Sequence, residues 1–114
     1  MGNADQYQIE VTMEECKAQI ELGQALERLA QSPDFHLIIR TGYFRDEPAR
    51  LALLLADPAC EAPDTQARIL RDIHATGSLH TFLNGLKHKA SIAERTLAEH
   101  QELEAEQLRA DLEA

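Results

Sequence analysis

An all-α fold, a small helical bundle, is the architecture this chain predicts, on three grounds. Apolar residues recur three or four positions apart over long stretches, the repeat of a helix with one buried face. Helix start signals precede those stretches at Thr12 and Ser32. Aromatic residues make up only 4% of the 114 positions and Trp is absent, so the core is aliphatic, built from Leu, Ile and Ala as helix packing prefers. A hydrophobic fraction of 44% is ordinary for one globular domain.

Taken in order, residues 1–11 are polar and without a period, and are expected to be a flexible leader. Met1-Gly2 opens like a myristoylation signal, but Gln6 stands where Ser or Thr is required. Thr12-Met13-Glu14-Glu15 has the form of a capping box, starting a helix over about 12–31 whose stripe is Met13, Cys16, Ile20, Leu22, Leu26 and Leu29. Gly23 lies within that stripe and costs the helix about 1 kcal/mol relative to Ala, which suggests a close helix crossing there. Ser32-Pro33-Asp34 supplies a cap, a first-turn proline and a negative charge for the dipole, starting a second helix over about 33–41 with Gly42 as its left-handed terminator. The β-branched pair Ile38-Ile39 is compatible with a strand, but a lone strand has nothing to pair with.

A third helix over about 46–56 opens at Arg45 or Asp46 and tolerates Pro48 in its first turn. Its body, Ala49 to Leu55, is apolar nearly all round and is expected to be the most buried element. Asp57-Pro58 ends it, and Ala59 to Pro63 form a loop. From Pro63 to about 112 the pattern of Ile69, Ile73, Leu79, Phe82, Leu83, Leu86, Ala90, Ala93 and Leu97 favours one long helix, with a kink or break at Gly77-Ser78 left open. The organisation expected is therefore a leader over 1–11, a helical domain over 12–97 and an acidic helical arm over 98–114.

The charge is −9, from 11 basic against 20 acidic residues. Affinity for nucleic acid comes chiefly from Lys and Arg neutralising phosphates, so a nucleic-acid partner is not expected. No apolar run approaches the roughly 20 residues of a membrane helix, and no membrane partner is expected. Cys16 and Cys60 form no C-x-x-C pattern and are expected to be reduced, half-buried apolar residues. No histidine among His36, His74, His80, His88 and His100 has Glu three positions before it, and H-E-x-x-H is absent, so no metal is expected. There is no G-x-S-x-G elbow and no phosphate-binding glycine loop. The chain is expected to be non-enzymatic, with no catalytic residues and no cofactor.

Two features point instead to protein binding. Arg40, Tyr43, Phe44 and Arg45 place two of the few aromatics between arginines at an expected helix–helix corner. They either plug that corner, with the arginines pairing with Asp46 and Glu47, or form an interface patch, since Tyr and Arg are favoured at interface centres. The second feature is the arm, where Leu97, Leu103, Leu108 and Leu112 form a thin stripe among Glu99, Glu102, Glu104, Glu106, Asp111 and Glu113, with Arg109 the one Lys or Arg. A terminal helix with so thin a stripe is marginal in water, so it frays, pairs with another copy as an irregular coiled coil, or docks on a partner.

Several segments also resemble a family of small helical proteins encoded among the virion and head-assembly genes of tailed bacteriophages. They are Glu21 to Leu29, Pro33-Asp34-Phe35, Gly42 to Glu47, Arg50 to Pro58, and Gln66 to Ile73 with Gly77-Ser78-Leu79, and the similarity spans most of residues 13–100. The resemblance implies a setting and no catalytic site: a protein that binds phage structural proteins or itself, in the host cytoplasm or the virion and not secreted. The alternative is a phage-encoded acidic inhibitor of a host or defence protein, its carboxylates imitating DNA.

Overall fold

The structure, a computed structural model, describes the backbone of residues 3–114 and the side chains of residues 8–10 and 12–114. It is all-α: among the described residues there is no strand. Helix α1 spans Asn3–Ala30, α2 Pro33–Phe35, a π-helical segment His36–Asp46, α3 Glu47–Leu55, a 3-10 turn Pro58–Cys60 and α4 Pro63–Glu113. Helix α1 begins nine residues ahead of the expected start at Thr12, so residues 3–11 are helix and not leader, and the capping-box sequence lies in a helix interior. No Gly or Pro interrupts the chain between Asn3 and Gly23, so nothing forces a later start. The myristoylation-like Met1-Gly2 lies outside the described residues.

The chain divides into two compact units, Met1–Leu26 with Leu86–Ala114, and Glu27–Gly85. In the first, α1 and the C-terminal part of α4 lie antiparallel: Gly23 meets Ala90, while Gln8, Ile9, Thr12 and Met13 surround a depression shared with His100. The covered stripe of α1 is Met13, Cys16, Ile20, Gly23 and Leu26, and that of α4 is Leu86, Ala90, Ala93, Leu97 and His100. Both keep the three-and-four spacing of coiled-coil packing. Small residues bring the backbones close at one end of the pair. A methyl group on Gly23 would run into the Ala90 Cβ, so the close crossing expected at Gly23 is present. Leu22 and Leu29, read as part of the α1 stripe, are instead exposed.

In the second unit, the Ser32 hydroxyl accepts from the Phe35 amide at 3.3 Å and Pro33 opens the helix. The helix does not stop at Gly42. No glycine among the described residues has a positive φ, and the Gly42 carbonyl accepts from the Glu47 amide five residues on. That i→i+5 bonding is the π pattern, which absorbs extra residues into a helix without ending it. Residues 33–55 therefore run without interruption where a helix, a corner and a second helix were expected.

Helix α3 lies antiparallel to the start of α4. The Gln66 carboxamide donates to the carbonyls of Leu55 (3.2 Å) and Cys60, and the Phe44 and His80 rings meet edge to face at 5.0 Å. The buried residues of this unit are Leu51, Ile69 and Thr76, whose hydroxyl donates to the Ile73 carbonyl at 2.7 Å. Helix α3, expected to be the most buried element, has Leu51 as its one buried residue and Leu53 75% exposed. Helix α4 passes Gly77-Ser78 unbroken, consistent with the uninterrupted helical propensity on either side.

Candidate protein-interaction site

The residues singled out in the sequence separate by environment. On the π segment, Tyr43 and Phe44 are half-buried, their ring centroids 5.9 Å apart, and Phe44 continues the contact to His80. They sit along a continuous helix and not at a corner, because Gly42 does not terminate it. The two arginines are exposed. Arg40 is exposed with its guanidinium 6.0 Å above the Phe35 ring, within cation–π range. Arg45 is exposed and its Nε donates to the Asp46 carboxylate at 3.0 Å. Glu47 pairs with Arg50, one turn on, and not with either expected arginine. The hydrogen bond from Arg50 holds the Glu47 carboxyl below its ordinary range against a smaller opposing effect of desolvation, and the same bond raises Arg50.

The arm separates in the same way. Leu97 is half-buried on the α4 stripe that carries Ala90, Ala93 and His100. Leu103, Leu108 and Leu112 are 64%, 63% and 79% exposed. At about 100° per residue Leu108 and Leu112 share a side of the helix while Leu103 points well away from them, so the three do not make one stripe. His100 Nε2 lies 3.0 Å from the Glu104 carboxylate.

Sequence reading missed a second exposed apolar face, on residues 33–55. Leu37, Ile38 and Leu53 are 66%, 63% and 75% exposed, while Phe44 is half-buried and Leu51 is buried. In a uniform α-helix Leu37 and Leu53, sixteen residues apart, would differ by about 160°. The π segment turns less per residue, so Leu37, Asp46 and Leu53 align along one side, with Gly42 and Ala49 between them. No α-helical template could have grouped these positions.

Among the described residues no three of His, Cys, Asp and Glu converge as metal ligands, and no helix is long and apolar enough to cross a membrane. The depression beside His100 is a shallow, open hollow of about 410 Å³ lined by Gln8, Ile9, Thr12 and Met13. Cys16 and Cys60 are free thiols, each half-buried. The chain matches no protein-family model, no curated protein and no solved structure.

Proposed function

We propose that the protein is a non-enzymatic binding protein that works through exposed helical faces, and that its setting is the assembly of a bacteriophage head or portal region. The observation that carries the binding reading is the imbalance between core and surface. Among the described residues only Leu51, Ile69, Thr76, Ala90 and Ala93 are buried, while Leu37, Ile38, Leu53, Leu103, Leu108 and Leu112 are each more than 60% exposed. Large aliphatic side chains left in water side by side, as Leu37 and Ile38 are, support a surface that a partner covers. The setting rests on the resemblance of residues 13–100 to small proteins of virion and head-assembly genes.

The experiment is a quantitative protein count in purified virions and proheads of the phage that encodes the chain. A constant copy number per particle is expected in at least one of the two, and its absence from both overturns the setting. The alternative, an acidic inhibitor imitating DNA, draws on the carboxylates of the arm but leaves the exposed leucines of residues 37–53 without a role. Retention of a host DNA-binding protein on the immobilised chain would favour it.

A further inference from the structure

Resting on that binding reading, we infer that the outer face of residues 37–53 is the contact by which two copies of this chain pair about a twofold axis. The face is self-complementary in order. Its ends are aliphatic, Leu37 and Ile38 at one and Leu53 at the other, and its middle is the exposed pair Arg45-Asp46. When two such helices cross antiparallel with the axis between Arg45 and Asp46, Ile38 of one copy comes opposite Leu53 of the other. Arg45 then comes opposite the second copy's Asp46, and Gly42 opposite its Ala49. A twofold interface requires this reciprocity, in which residue i meets j and j meets i.

Charge favours this face over the arm as the contact between two copies. Each arginine on this face finds an opposite charge at the axis, whereas pairing through the arm would bring six carboxylates on one copy against six on the other, offset by a single arginine on each. Six of the seven positions named, Leu37, Ile38, Arg45, Asp46, Ala49 and Leu53, are exposed, and the seventh, Gly42, is half-buried.

The test is light scattering across a concentration series, with charge variants that distinguish a twofold pairing from any other. The wild-type chain is expected to reach a dimer, and Leu53→Glu to weaken it by about thirtyfold or more. Arg45→Asp and Asp46→Arg each place like charges at the axis and are expected to be monomeric alone. Mixed in equal amounts they present opposite charges to one another and form the mixed dimer. Helix content and melting of each variant confirm that it is folded. A wild-type chain that stays monomeric at about 100 µM overturns the inference. So does Leu53→Glu dimerising as wild type does, or a mixture of the charge variants that fails to associate. The particle count is independent: copies in the virion with no dimer in solution remove the twofold pairing and leave the assembly reading standing.

Discussion

Replacing Gly23 by Ala should destabilise the protein, although the same replacement at Gly77 should stabilise it. Both glycines are helical, and both substitutions cost the unfolded chain the same conformational freedom. Intrinsic propensity alone favours Ala by about 1 kcal/mol at each site. At Gly77 nothing lies within 4 Å of the added Cβ, so that gain stands. At Gly23 the added methyl collides with the Ala90 Cβ, a neighbour on a helix backbone that has no flexible end to swing aside. Forcing α1 and α4 apart in this way costs about 1–3 kcal/mol, which offsets or exceeds the propensity gain. The two variants should therefore differ by about 1–3 kcal/mol, and with a urea dependence of roughly 1–3 kcal/mol per molar their midpoints should separate by about 1 M. Ala90→Gly in the Gly23→Ala chain removes the colliding methyl and should recover most of the loss due to packing. A Gly23→Ala midpoint raised as far as that of Gly77→Ala would refute the close crossing.

Gln66→Leu removes the donor that closes the α3–α4 connection on the Leu55 and Cys60 carbonyls, and should lower stability by about 1–2 kcal/mol in urea titration. An unchanged midpoint would mean that water replaces the carboxamide. Gln19→Met removes a buried carboxamide oxygen that has no hydrogen-bond partner, and should raise stability by about 1 kcal/mol; a fall would show that this oxygen is bonded in solution. Glu47 is held below its usual value of 4.5 in the folded state, so its pairing with Arg50 stabilises the fold above that value and is lost as pH falls through the folded value. Urea midpoints measured against pH should accordingly drop further in acid for wild type than for Glu47→Gln, and parallel profiles would remove the pair from the account.

The legible parts of the fold are those where one local rule acts alone. Ser32-Pro33 starts a helix because a hydroxyl acceptor and a proline suit its first turn wherever the chain goes next. The α4 pattern from Ile69 to Leu97 is legible at every expected position but Phe82, which is 60% exposed, because the other members of the stripe are buried or half-buried. Gly42 failed as a terminator because a left-handed cap is a choice the chain can decline. Tyr43, Phe44 and Arg45 carry no proline to enforce a stop, and the carbonyl of Gly42 finds an amide at Glu47. That register change hid the outer face of residues 37–53, whose members fall on one side only when the helix is wound more loosely. The candidate residues fall in different environments. Tyr43 and Phe44 are half-buried, Arg40 and Arg45 are exposed, and Leu97 belongs to the covered stripe that Leu103 leaves.

A core this thin ties stability to association. Helices α3 and α4 cover each other along one side, and Leu37, Ile38 and Leu53 contribute little to the isolated chain because water still reaches them. Covering them in a dimer adds apolar burial to the folded state and nothing to the unfolded one, so pairing must raise the apparent stability with protein concentration. The melting temperature of wild type should climb across a hundredfold concentration series, while that of Leu53→Glu stays flat. A common, concentration-independent melt for both chains would mean that the outer face is covered by something other than a second copy.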